Sequence, residues 1–183
     1  MMRTIETLRE EHEAVLAVLD QLDRAVARAM DGVPVPPSVF ADLGEFFTVF
    51  VDRCHHAKEE DAIFPRLGKA GAAIVAQLEA DHASGRRLAA ELIEAAAAWA
   101  PGNAGAAERL RVAAREYGAF LRAHIARETD ELFPLLERQL DSAADAELVE
   151  QFERIETERL GAGTHERLHA LIGALGPRIA AAG

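Results

Sequence analysis

The sequence predicts an all-α protein, an up-down-up-down four-helix bundle with two additional C-terminal helices. Three observations support this fold. Apolar residues recur at alternating steps of three and four along four long segments. Those segments are similar in length and joined by short connections, the pattern of antiparallel neighbours. Aromatic residues make up 5% of the chain while alanine is abundant, a balance that favours closely packed helices over sheets. With 183 residues, 50% of them apolar, the chain is long enough to bury a real core.

Helix one carries the seam Leu8, Val15, Leu19, Leu22, Val26, with Thr4 as N-cap and Gly32 as stop. Pro34, Pro36 and Pro37 make a stiff connection, Ser38 caps the next start, and Phe40, Phe47 and Val51 carry helix two over residues 39–64 as far as Pro65. Gly68 and Gly71 open a turn. Helix three follows on Val75, Leu78, Ala89 and Leu92 and ends near Trp99, before Pro101-Gly102-Asn103. Helix four spans 106–133 on Leu110, Ala113, Tyr117 and Leu121, and Pro134 kinks or ends it as Pro65 does helix two. Residues 142–160 read as helix five and Gly161-Ala162-Gly163 as a hinge. Thr164 caps a short helix six reaching residue 175, after which the chain should fray. These segments divide into a bundle over 1–140 and a helical extension over 141–183 packed on it.

An internal repeat stands out. Residues 53–65 align without a gap on residues 122–134, sharing the frame H-x-x-x-E-x-x-x-x-F-P. Residues four apart share one helical face, so His55 with Glu59 and His124 with Glu128 each aim an imidazole and a carboxylate in one direction. For either pair alone, a solvated His–Glu contact is the plain alternative. The seams change that reading. His12 takes an apolar place in Leu8, His12, Val15, and His82 does so in Leu78, His82, Ala89, while His55 and His124 extend the apolar faces of helices two and four. Four buried imidazoles without partners would be costly, on the order of 1 kcal/mol or more each. Counting about 1.5 Å of rise per residue from the helix ends places all four at one depth. Four imidazoles and two carboxylates exceed a closed zinc site and suit two metals bridged by Glu59 and Glu128, with non-haem iron favoured by the mixed donors and open positions.

Taken in order, His12, then His55 with Glu59, then His82, then His124 with Glu128, the chain resembles the hemerythrin-like (HHE cation-binding) family over residues 1–135. The resemblance implies a four-helix bundle holding an oxo- or hydroxo-bridged diiron centre that binds oxygen-derived ligands. Two positions depart from the oxygen-carrying members. Leu78 stands where they have a second histidine, and Thr129 where they have an aspartate. The shell is thereby opened, in a way that suits peroxide, nitric oxide or redox chemistry better than reversible oxygen carriage.

Several neighbours carry two readings. His56 with Glu60 repeats the spacing but lies about 100° round the helix, making His56 a candidate extra ligand or supporting donor and Glu60 a supporting or solvated acid. Tyr117 is either a core tyrosine or a donor to a bound ligand. Cys54 reads as a small buried residue, and Lys58 and Arg127, at matched positions in the repeat, as surface balance to acidic neighbours. His165-Glu166-Arg167-Leu168-His169 matches the H-E-x-x-H zinc-protease signature, but residues 170–183 hold no further His, Asp, Glu or Cys to complete such a site. The alternatives for this helix are a surface role or a lid that brings His165 or His169 to the metal.

A net charge of −11 without a basic cluster argues against nucleic acid and anionic membrane surfaces as partners. The longest uncharged stretch, 95–107, has 13 residues, short of a membrane span. Early acids at Glu6, Glu10 and Glu11 break any signal-peptide core, and a lone cysteine agrees with a reducing compartment, so the cytoplasm is expected. The sequence therefore points to a diiron protein that binds or reacts with oxygen, peroxide or nitric oxide, or handles iron, with a separate protein needed to relay any signal. The rival readings are a metal-stabilised scaffold or binding module and, more remotely, the protease.

Overall fold

The computed structural model describes residues 2–100, 102–161 and 163–181. Helix α1 spans Arg3–Met30. Helix α2 begins at Pro37–Glu45, continues as wider π-helical turns through Phe46–His56 and Glu59–Ile63, and closes on the single turn Phe64–Arg66. Helix α3 spans Gly68–Ala98, and α4 spans Ala104–Arg127 with a π-helical turn at Glu128–Leu132. Three shorter helices follow: α5 over Phe133–Gln139, α6 over Ser142–Leu160 and α7 over Thr164–Ala180. Among the described residues there is no strand.

Neighbouring bundle helices run antiparallel, as paired contacts along them show. Phe40 meets Trp99, Asp52 meets Arg86 and Glu60 meets His82 as α2 ascends and α3 descends. Arg122 pairs with Asp20 and Asp23 of α1, while Glu128, later on its helix, pairs with the earlier His12. The sequence expectation of an all-α bundle holds. So does Gly32 as a stop: it adopts φ +78° just past the end of α1, a conformation that glycine reaches without steric cost.

Several local expectations are corrected. Thr4 is not the cap of α1, which starts one residue earlier; its first free N–H groups, on Arg3 and Thr4, donate to the Asp145 carboxylate of α6 at 3.0 Å each. Ser38 lies inside α2, with its hydroxyl accepting from Arg178. Gly71 is a buried helical residue, packed where a Cβ would collide with Leu67, and the turn sits at residues 64–67 instead. Pro134 does not end the rod: it occupies the first turn of α5, where its missing N–H costs nothing. Asn103 and Asp141 supply the side-chain caps of α4 and α6. Thr164 does not cap α7, since its hydroxyl donates back to the Leu160 carbonyl, and α7 runs past residue 175 to Ala180 with Ile179 buried. Pro101 and Ala162, the centres of the expected loop and hinge, and the last two residues, expected to fray, lie outside the described residues.

The apolar interior forms two clusters. The larger runs from Val15 and Leu19 through Phe46, Phe47, Leu110 and Tyr117, and takes in Leu168, Leu175 and Ile179 of α7. The smaller joins Ile5, Leu8, Ile63, Leu78, Leu132 and Phe133 with Leu148 and Phe152 of α6. Each helix of the extension thus seals a different cluster, and both lie against α1 and α2. No helix among the described residues is long and apolar enough to cross a membrane.

Candidate metal centre

Between the two apolar clusters lies a polar layer. His12 of α1, His55 and Glu59 of α2, His82 of α3, and His124 and Glu128 of α4 are all buried to 4% exposure or less. The structure brings all six together. Glu128 reaches His12 Nε2 at 3.0 Å through one oxygen and His124 Nε2 at 2.9 Å through the other. Glu59 Oε2 lies 3.2 Å from His82 Nε2 and 3.9 Å from His55 Nε2. The donors sort into two groups, His12-His55-Glu59-Glu128 and Glu59-His82-His124-Glu128, each able to converge on one ion and sharing both carboxylates.

Whether these residues fit a cation is answered by their unmet polarity. Among the described residues, both oxygens of Glu59 and of Glu128, and Nε2 of His82 and of His124, are buried without a hydrogen-bond partner. His12 Nε2 and His55 Nε2 face each other at 3.2 Å, where one neutral ring could donate but the other must then accept. Buried acceptors pointed at buried acceptors are rare in a stable core, and a positive ion at their focus removes the conflict. Without one, protons take that place. Burial alone would lower His55 and His82, but Glu59, Glu11, Glu128 and Glu60 outweigh it and lift them to about 10 and about 11.

Carboxylates support the rings from behind in a cross-helix pattern. Glu11 of α1 accepts from His55 Nδ1 at 2.8 Å, and Lys58 donates to Glu11 in turn. Asp81 of α3 approaches His124 Nδ1 at 3.5 Å without completing a hydrogen bond, and Arg127 donates to Asp81. The two relays obey the internal repeat, because Lys58 and Arg127 each lie three residues after their histidine and Glu11 and Asp81 each precede a lone histidine. Those supporting acids were missed in the sequence, although the matched pairs Glu11-His12 and Asp81-His82 were a readable signal. Burial would raise Glu11, yet the His55 hydrogen bond and the Lys58 charge hold it down at about 2.

The repeat breaks at one support. Glu60 accepts from His82 Nδ1 at 2.7 Å and from Arg86 at 2.8 Å, so it is a supporting acid rather than a solvated one. Its counterpart is Thr129, and among the described residues His12 Nδ1 has no hydrogen-bond partner, its ring instead stacking on Phe133 at 5.3 Å. Such partners orient ligating rings and fix their tautomers.

His56 is buried and stacked on His82 at 3.9 Å, edge-on to His124, with ring nitrogens close enough to join those two histidines around an ion. Burial and the neighbouring imidazoles push it down to about 3, leaving it neutral. Tyr117 is a core residue packed on Phe47, its hydroxyl pushed above its ordinary range by burial. Cys54 is buried, its thiol pushed up to about 12. Lys58 corrects the sequence reading: it has 0% exposure and lies between Glu11 and Glu156, because α6 covers the face that the bundle alone would leave in water.

His165 and His169 are not in the six-residue layer. Their rings lie 4.6 Å apart on α7, both against Phe50. Cys54, Glu156 and His165 do converge, but Lys58 already donates to Glu156 there. A buried ammonium at that point disfavours a second cation.

Residues 3–136 match the hemerythrin HHE cation binding domain family. Uncharacterized proteins of Mycobacterium bovis and of Mycobacterium tuberculosis strains CDC 1551 and H37Rv are each 26% identical over 158 residues, 85% of this chain. The chain spans 62% of the length of these relatives. No solved structure matches it significantly. A family match over most of the chain, on a helical bundle whose buried histidines and glutamates meet in one layer, assigns this chain to the hemerythrin HHE cation-binding family.

Proposed function

We propose that the chain is a cytoplasmic non-haem diiron protein that binds or reacts with oxygen, peroxide or nitric oxide, or handles iron. The observation that carries the reading is the pair of four-donor groups sharing Glu59 and Glu128, whose oxygens are buried without a hydrogen-bond partner among the described residues. His12 and His55 would hold one iron, His82 and His124 the other, and the two glutamates would bridge them and offset their charge. Bound iron would supply reversible electron transfer and open coordination positions for small ligands. The protein's own part is to orient the imidazoles and fix their tautomers through Glu11 and Glu60, with Asp81 beside His124, and to keep water scarce with an apolar cluster on each side. With two imidazoles and two shared carboxylates per ion, the donor set leaves room for an outside ligand, which favours peroxide or nitric oxide over carriage of oxygen. A sensor of this kind would pass its signal through a separate protein.

The test is anaerobic purification from iron-replete medium, metal quantitation, and absorption spectra after adding oxygen, peroxide or nitric oxide. About two irons per chain and a ligand-dependent spectrum are expected. A fully occupied protein with one zinc and no iron overturns the reading in favour of a structural metal.

A further inference from the structure

A cavity of about 70 Å³ lies where α2, α3 and α4 meet, one turn from the metal layer. Its sides are mainly apolar, formed by Phe47, Val51, Ala89 and Leu121, with Thr48 and Tyr117 also on the wall. At its outer end Arg86 and Asp52 pair at 2.6 Å, with side chains 42% and 31% exposed. At its inner end stands His56, 4% exposed, between the cavity and His82 and His124. Both nitrogens of His56 are buried without completing a hydrogen bond among the described residues, the Asp52 carboxylate standing 3.6 Å away while it accepts from Arg86. An imidazole carries at least one N–H whatever its charge, and here that donor completes no hydrogen bond.

We propose that this cavity is the entry chamber for an uncharged ligand of two to four atoms, such as nitric oxide, oxygen or hydrogen peroxide, and that His56 donates a hydrogen bond to that ligand beside the His82–His124 side of the centre. The proposal rests on the diiron reading above. Size limits the occupant, since organic ligands need pockets of roughly 300 Å³ or more. Lining limits its charge: the side walls carry no charged group and the rim pair is internally neutralised, so an ion would lose its water without gaining a charged partner. Position limits the route. The opposite side of the layer is closed by α6 and α7 and by Lys58 between Glu11 and Glu156, whereas α2, α3 and α4 carry no further helix over this cavity. The internal repeat adds a reason, for the residue matching His56 is Ile125, so the N–H is offered on one side of the centre alone.

The test uses xenon and nitric oxide as probes on the full chain. Crystals of metal-free protein under xenon pressure should show xenon in the chamber, a readout independent of iron. Ala89→Leu adds three carbons to the wall and should exclude xenon, keep the wild-type iron content and slow nitric oxide association at least tenfold. Val51→Ala enlarges the chamber and should speed association, which keeps the test decisive should Ala89→Leu not fold. His56→Phe preserves the stacked ring without its N–H, and should leave xenon and association unchanged while nitric oxide dissociates at least tenfold faster. An empty chamber under xenon, or association rates indifferent to both wall variants, overturns the chamber. Unchanged dissociation in His56→Phe overturns the donor. Failure of the diiron reading is distinct, appearing as wild-type protein without iron before any variant is made.

Discussion

At the scale of single residues, the structure separates ligands from supports. Glu59 lies within 4.0 Å of the imidazoles of His55 and His82, and Glu128 of all four, so losing either carboxylate leaves both ion positions short of a donor and a charge. Glu128→Gln or Glu59→Gln should abolish stable iron binding. Glu60→Gln removes only an acceptor behind His82 and should weaken iron by about ten- to a hundredfold. Iron retained per chain after dialysis against a graded chelator distinguishes the two, and a larger loss from Glu60→Gln than from Glu59→Gln would reverse the assignment. Lys58 invites a different measurement. Its substitution by Met leaves Glu11 and Glu156 without their shared cation, and breaking a buried pair costs about 3 kcal/mol. Denaturant unfolding of metal-free protein measures that loss; a change below about 0.5 kcal/mol would mean that the pair behaves as an exposed one. The six inward residues were legible in the sequence because a histidine in an apolar seam is a local anomaly. Glu11, Asp81 and the burial of Lys58 were not, because each depends on which neighbouring helix lies across from it.

At the scale of elements, both repeated motifs end in the same distortion. The Phe64 N–H donates to the Glu59 carbonyl and the Phe133 N–H to the Glu128 carbonyl, each spanning five residues rather than four. A proline follows in both cases, lacking an N–H and crowding the carbonyl four residues back, and a widened turn moves that carbonyl aside. The Phe-Pro pair thus accompanies π-helical backbone in both motifs; at Pro65 the helix closes on the turn Phe64–Arg66 as expected, whereas past Pro134 the rod continues as α5. The start of α1 teaches a related lesson, since its cap comes from Asp145, more than 140 residues away in sequence. Burial would raise that carboxyl, but hydrogen bonds from Thr4 and Arg3 outweigh it and hold it below its ordinary value. A depressed carboxylate stabilises the fold above its unfolded pKa, and the contribution disappears as pH falls through the folded one. Asp145→Ala should thus cost about 1 kcal/mol at neutral pH. In metal-free protein the gap between the two melting temperatures should close as pH falls below about 4, the unfolded Asp value. A gap that persists at pH 2 would place the effect in packing rather than in the cap.

At the scale of the whole molecule, stability and metal binding divide along the chain. Four bundle helices supply every residue of the polar layer, while α6 and α7 supply apolar closure, Leu148 and Phe152 to one cluster and Leu168, Leu175 and Ile179 to the other. The bundle was legible from its seams. The division of labour between the two later helices was not, because spacings of four and seven mark which face of each helix is apolar but not which part of the bundle that face meets. Leu175, with 0% exposure, lies deep in the larger cluster, and Leu175→Ala should destabilise the fold by about 2–5 kcal/mol. Nothing in that cavity touches the donors, so the variant should keep the wild-type iron content and lose the same amount with and without metal. Metal acts through the other route: an ion that binds the folded chain alone stabilises it by about 2.7 kcal/mol at a hundredfold excess over its dissociation constant. Glu128→Gln should erase that increment; because the carboxylate also lies 3.0 Å from His12 and 2.9 Å from His124 without metal, the readout is the metal increment itself and not the metal-free melting temperature. Melting the wild type and both variants, each with and without iron, gives the comparison. Additive losses in Leu175→Ala and a vanished metal increment in Glu128→Gln are expected. A metal increment that shrinks in Leu175→Ala would mean instead that α7 holds the donor layer in place, and that the extension belongs to the metal centre as much as to the core.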